Sequence, residues 1–105
     1  MTTRLRKDAT LIAERLRAEL KPSTILLFGS VARGSDTEGS DLDLCLLFDE
    51  MPGRKLDVMR KARNISRPVH KGAVDIVAYS REEWEAYIAA GSSFELMLKR
   101  EAVAL

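Results

Sequence analysis

Two aspartates at alternate positions, Asp41 and Asp43, have the clearest potential for chemistry, because they begin an apolar segment that runs to about Phe48. Alternate residues of a β-strand project from the same face, roughly 6.5 to 7 Å apart at Cα, so these carboxylates would lie side by side. A divalent cation relieves both their repulsion and their loss of hydration, and carboxylates together with phosphate oxygens suit Mg²⁺. An Asp-x-Asp motif is short, however. It also fits a turn cap followed by an exposed strand residue, or a site for a metal-bound nucleotide sugar.

A glycine–serine turn lies upstream of these aspartates and directly follows a second apolar segment. Residues 24–28 are continuously apolar after the first position, a pattern that predicts a strand buried on both faces. Gly29 lets the backbone approach a ligand closely, and amides at a helix N-terminus together with the Ser30 hydroxyl suit a phosphate. Arg33, one helical turn further on, could clamp a phosphate or a neighbouring carboxylate. The turn and the aspartate pair together predict a site for phosphate and metal.

A third aspartate, Asp75, interrupts the apolar segment at 73–79. Aspartate is disfavoured in strands and is rarely buried without a partner. Asp75 could pair with an arginine or lysine on an edge strand, or it could lie beside Asp41 and Asp43 on a neighbouring strand. We favour the second interpretation because the site otherwise lacks a candidate base. Two metal ions held by three carboxylates would activate an attacking hydroxyl and neutralise a leaving pyrophosphate.

The elements that must position these side chains alternate between helices and strands. Apolar residues at three- and four-residue spacings predict helices at 5–20 and 54–67, and strands are predicted at 24–28, about 41–48 and 73–79. Ser80 with Glu83, and Ser92 with Glu95, each match a capping box and predict two further helices. The order α, β, short α, β, α, β, α, α predicts an α/β fold with a small sheet, built by residues 1–105 as a single domain.

Composition excludes several classes of protein. The chain has 105 residues, 46% of them hydrophobic, and its 17 Lys and Arg against 16 Asp and Glu leave a net charge of +1. That balance argues against direct nucleic-acid binding by a polycationic surface. No apolar run approaches the ~20 residues that span a membrane, and the start lacks the apolar core of a signal peptide, so a cytoplasmic location is expected. A single cysteine and a single histidine exclude a disulfide framework and a Cys/His zinc cluster.

The net charge averages two opposed blocks. Residues 35–50 contain six acidic residues, Glu38 among them, and no lysine or arginine, whereas residues 54–71 carry seven Lys or Arg against Asp57 alone. Metal is expected at the acidic block. The basic block is expected to be a solvated helix face, although it could also meet phosphate or a partner.

Four further features are predicted to be structural or to face a partner. Cys45 is expected to be a small packing residue, and His70 a surface residue near a turn. Trp84 and Tyr87, at helical spacing, are expected in the core. The apolar C-terminal segment 94–105 is expected to include an exposed patch for a partner.

These motifs resemble the signature of the DNA polymerase β-type nucleotidyltransferase superfamily. Gly29 and Ser30 are followed by ten intervening residues and then by Asp41 and Asp43. The string GSVARG with SDLDL is similar to that of the minimal nucleotidyltransferases, which are small stand-alone domains of about this length. The resemblance runs from the first helix to the strand of Asp75, and the two C-terminal helices match loosely.

The resemblance implies a polymerase β-like nucleotidyltransferase fold, with a small mixed sheet covered by helices. It also implies Mg²⁺-dependent transfer of AMP from ATP, with two Mg²⁺ ions. The roles it implies are nucleotide binding for Gly29, Ser30 and Arg33, and metal binding and catalysis for Asp41, Asp43 and Asp75. Asp75 would ligate the catalytic metal and help to deprotonate the acceptor hydroxyl.

The resemblance also implies a partner. Many minimal nucleotidyltransferases are encoded with a helical HEPN-type toxin; the nucleotidyltransferase is the antitoxin of a type VII-like pair and transfers AMP to a tyrosine of the toxin. A hetero-oligomer is therefore expected, with no membrane partner. Two alternatives stay open: a non-catalytic antitoxin that binds stoichiometrically, and a nucleotidyltransferase for a small-molecule or RNA acceptor. The short chain favours a protein acceptor, because it leaves little room for a substrate domain.

Overall fold

The protein is described here by a computed structural model that covers residues 4–37 and 39–105, so Glu38 of the acidic block lies outside the described residues. In chain order the elements are α1 (Arg4–Glu19), β1 (Thr24–Phe28), α2 (Gly29–Arg33), β2 (Leu42–Phe48), α3 (Lys55–Ser66), β3 (Val74–Ser80), α4 (Arg81–Ala89), α5 (Ser93–Glu101) and β4 (Val103–Ala104). The predicted α/β class and element order are confirmed. The strand β4 was not predicted from the sequence.

The four strands form one mixed sheet in the order β3-β2-β1-β4. The strand β2 pairs antiparallel with β1 and parallel with β3, and β4 pairs antiparallel with β1. The register places Phe28 opposite Asp43, and Asp43 opposite Asp75. Because paired residues of adjacent strands project from the same face, these three side chains form a row across the sheet. We call it the Phe28–Asp43–Asp75 row.

Alternation along β2 separates the two faces of the sheet. Leu42, Leu44 and Leu46 are fully buried and belong to the larger core, which α1 and α3 cover. On the opposite face, Cys45 is fully buried in a smaller cluster with Leu98 of α5, which confirms the prediction for Cys45. The Phe28–Asp43–Asp75 row lies on this second face, where Asp43 is half-buried and Asp75 is exposed.

The strand β4 was missed because a two-residue strand has no hydrophobic period that could predict it. Val103 and Ala104 pair with Leu27 and Leu26 of β1. The Leu105 N–H then donates to the Ile25 carbonyl at 2.9 Å. This edge pairing returns the chain to β1 and holds α5 against the sheet.

The two predicted capping boxes have different outcomes. At the start of α4, Ser80 accepts from the Glu83 N–H and the Glu83 side chain accepts from the Ser80 N–H, so this box is confirmed. At the start of α5, Ser92 makes no capping bond to the backbone, and its hydroxyl donates to the Glu95 carboxylate instead. The second box is wrong because Glu95 turns into the interior, where it is 5% exposed.

Two other expectations need correction. His70 is largely buried, and its Nδ1 lies 3.0 Å from Oδ2 of Asp8 on α1, so it is not a surface residue. Trp84 is half-buried, but Tyr87 is 44% exposed, so the stripe on α4 is only partly packed. The C-terminal segment exposes Phe94 and Leu96, as predicted.

Within the described ranges, no helix is long and apolar enough to cross a membrane.

Candidate active site

Asp43 and Asp75 are brought together by the parallel pairing of β2 and β3, in which they are register partners. Burial raises the pKa of Asp43 to about 6, and the negative charges of Asp75 and then Asp41 contribute to the increase. The Arg33 guanidinium acts in the opposite direction. Asp43 is thus the carboxyl on which the charges of the other predicted site residues converge.

Asp41 lies one residue before β2 and is exposed, whereas the sequence predicted it inside the strand. Its negative charge still acts to raise the pKa of Asp43. Arg33 is exposed in the last turn of α2. Its positive charge acts to lower the pKa of Asp43, as a nearby guanidinium is expected to do.

The glycine–serine turn lies directly against Asp43. Gly29 has a φ of +75°, a conformation that favours glycine, and a Cβ built on it would overlap Oδ2 of Asp43. The Ser35 N–H donates to the Ser30 carbonyl at 3.0 Å, which closes the short α2 turn. Two motifs separated in the sequence therefore share one site, and glycine is required at their contact.

A divalent cation fits the chemistry of these donors, although they do not converge into a finished site. In the part of the chain that the structure describes, no group of three Asp, Glu, His or Cys side chains is arranged to hold a metal ion. Neighbouring negative charge nevertheless raises the pKa of Asp43, and a bound cation would remove that repulsion. Hard carboxylate oxygens are the ligands that Mg²⁺ prefers.

Sequence reasoning missed an aromatic residue at this site. The Phe94 ring of α5 packs edge-on against Phe28, with ring centroids 5.8 Å apart and an interplanar angle of 83°. Phe28 directly precedes Gly29 and is the register partner of Asp43. Phe28 could have been noticed from its position next to the turn, but no local pattern links it to Phe94.

A cavity of about 470 Å³ lies elsewhere, between the start of α1 and the loop that leads into β3. Its walls include Asp8, Thr37, His70 and Lys71. A Cβ on Gly72 would lie 2.7 Å from Nε2 of His70, so glycine at this position lets the loop close over the imidazole. Asp41, Asp43 and Asp75 do not line this cavity, which separates it from the candidate active site.

Comparisons with known proteins bear on both the family and the fold. The family described as "Nucleotidyltransferase domain" matches residues 10–98, a span that includes all six predicted site residues. A crystal structure from Sulfolobus solfataricus, described as a candidate nucleotidyltransferase, matches with a TM-score of 0.60 and 22% identity. The match covers 96% of this chain and 78% of that one, and at this identity it supports the predicted fold. No curated protein gave a significant match.

Proposed function

This chain belongs to the nucleotidyltransferase domain family, and on that premise we propose that it transfers AMP from ATP to a hydroxyl group of a partner protein. The observation that carries the proposal is the contact of the Gly29 backbone with the Asp43 carboxylate. A triphosphate held by the turn would have its reacting phosphorus next to the carboxylates. Chemistry of this kind depends mainly on such positioning and on charge neutralisation.

The residues divide into two groups by role. The triphosphate would be bound by Gly29, Ser30 and Arg33. Gly29 would contact it through its backbone, and Arg33 through its positive charge. Asp41, Asp43 and Asp75 would hold two Mg²⁺ ions. Once bound, these ions supply Lewis-acid stabilisation of the phosphate oxygens and favour deprotonation of the attacking hydroxyl.

The reaction forms one bond and breaks one bond at the α-phosphorus. The acceptor oxygen attacks that phosphorus, the bond to the bridging oxygen of the pyrophosphate breaks, and the hydroxyl proton passes to Asp75. Attack is in line, so the acceptor approaches opposite the leaving pyrophosphate. With the pyrophosphate at the β1–α2 turn, the acceptor enters from the β3 side. Asp75 is exposed on that side, as a base for a macromolecular acceptor would need to be.

We propose a HEPN-type helical toxin as the partner and one of its tyrosines as the acceptor, so that this chain is the antitoxin of the pair. The motif resemblance supports this assignment. The open β3 side of the site is consistent with it, because a tyrosine on a protein surface needs unobstructed access.

The test is intact-mass analysis of the partner after incubation with this protein, ATP and Mg²⁺. The expected result is a gain of one adenylate unit or a multiple of it, lost in Asp43→Asn and retained in Asp49→Asn. Asp49 is a matched control because it is an exposed aspartate paired with Arg81, away from the Phe28–Asp43–Asp75 row. An unchanged mass with folded wild-type protein would contradict the proposal. If Asp43→Asn still neutralises the toxin, the stoichiometric alternative is correct.

A further inference from the structure

Phe94 is a large apolar side chain that is exposed next to a polar site. It is 39% exposed, although its ring packs edge-on against the buried Phe28. Phe28 is the β1 member of the Phe28–Asp43–Asp75 row, so Phe94 lies on the same face of the sheet as the carboxylates. Water contact with such a ring is unfavourable, and a ligand that covered it would gain hydrophobic free energy.

The chain holds Phe94 in place through its neighbour Glu95. The Glu95 carboxylate is buried and accepts hydrogen bonds from the hydroxyls of Tyr79 and Ser92. Burial acts to raise the pKa of Glu95, but these hydrogen bonds hold it below its usual value, so the anchor is ionised. Leu98, one turn further along α5, is fully buried. Phe94 is therefore an exposed ring on a fixed helix, which favours rigid stacking.

The sheet order determines which part of the substrate Phe94 can contact. The helix α5 continues into β4, which pairs with β1 on the side away from β3. The glycine–serine turn follows β1 as well, so Phe94 and the expected triphosphate site lie on the same side of Asp43. In-line attack brings the acceptor from the β3 side, which leaves the nucleoside as the substrate part available to Phe94.

We propose that Phe94 is the platform on which the nucleobase of the substrate stacks, with Phe28 as its edge-on support. The inference rests on the proposed function, because it requires a nucleoside triphosphate as substrate. Stacking on a phenyl ring uses the π-face that every base has. Phe94 therefore contributes affinity for the nucleoside part of the substrate and none for its phosphates.

The experiment separates base binding from phosphate binding. The dissociation constants of ATP and of inorganic tripolyphosphate are measured by calorimetry, with Mg²⁺ present, for the wild type and for Phe94→Ala. We expect Phe94→Ala to weaken ATP binding by roughly 5- to 150-fold, the range that base–aromatic stacking covers, with tripolyphosphate binding unchanged. Phe94→Trp should restore ATP affinity. Leu96→Ala is the matched control, since Leu96 is 36% exposed on the same helix.

Each outcome decides the inference. Unchanged ATP affinity in Phe94→Ala overturns it, as does an equal loss for ATP and tripolyphosphate, which would indicate a general structural effect. A wild type that binds neither compound overturns the proposed function and this inference together. If ATP binding depends on Phe94 while no acceptor is modified, the nucleobase platform is supported and the proposed acceptor is wrong.

Discussion

The backbone of Gly29 lies against the carboxylate of Asp43, so closely that a Cβ at position 29 would overlap Oδ2. This contact joins the end of β1 to the start of β2 and unites the two motifs of the site. It also accounts for the residue type, because a φ of +75° and the lack of space both require glycine.

Substituting Gly29 should therefore have two distinct effects, one on stability and one on ATP binding. Gly29→Ala should lower the free energy of unfolding by about 1 to 2 kcal/mol, because alanine is disfavoured in the left-handed conformation. The added Cβ should also displace the Asp43 carboxylate and abolish ATP binding. Gly91→Ala is the matched control, with a φ of +76° and no atom within 4 Å of the added Cβ. Urea unfolding and ATP calorimetry measure the two effects. Equal ATP affinity in the two variants would refute the contact as a functional feature.

Because the pKa of Asp43 is raised, replacing its carboxyl group should stabilise the folded protein at neutral pH. A carboxyl whose pKa is about 6 in the folded protein and 3.8 in the unfolded chain binds its proton more tightly when folded. Its contribution to stability is therefore full below pH 3.8 and is lost as the pH rises to 6. In EDTA, Asp43→Asn should raise the Tm by a few degrees at pH 7.5, and the gain should vanish near pH 4. Asp49→Asn should show no such pattern in thermal unfolding.

Removing the hydroxyl of Tyr79 should destabilise the anchor of α5. Tyr79→Phe leaves the buried Glu95 carboxylate without one of its two hydroxyl donors, and we expect a loss of about 1 to 3 kcal/mol. The single tryptophan, Trp84, has its ring 5.4 Å from the Tyr79 ring, so its fluorescence can follow urea unfolding. Tyr87→Phe is the control, because Tyr87 is exposed. An equal effect of the two substitutions would contradict this role for Tyr79.

Two aspartate contacts of equal length, one to a histidine and one to an arginine, allow a test of burial. Asp8–His70 and Asp49–Arg81 both measure 3.0 Å, but the side chains of the first pair are 18% and 12% exposed, and those of the second 73% and 59%. Asp8→Asn should reduce the free energy of unfolding by about 1 to 3 kcal/mol, whereas Asp49→Asn should reduce it by less than about 1 kcal/mol. Chemical denaturation of both variants at one pH measures the difference. Similar losses would show that burial does not strengthen the first pair.

Local sequence patterns determined much of this protein. Leucines at alternate positions of β2 leave Asp43 on the other face of the strand, and an apolar run that ends in Gly29 marks the end of β1. The confirmed capping box at Ser80 and the α/β order follow from the same short-range rules. Each of these features depends on residues within a few positions of one another, where period and turn chemistry act directly.

Only the tertiary structure decided what depends on the path of the chain. Glu95 matches a cap by its spacing, yet a buried tyrosine hydroxyl from β3 made it an internal anchor. The imidazole of His70 is buried because α1, distant in sequence, brings Asp8 to it. Phe94 meets Phe28 because α5 folds back over β1 and continues into β4. Such contacts arise from the packing of whole elements, whose free energy is shared among many distant residues and is absent from any local pattern.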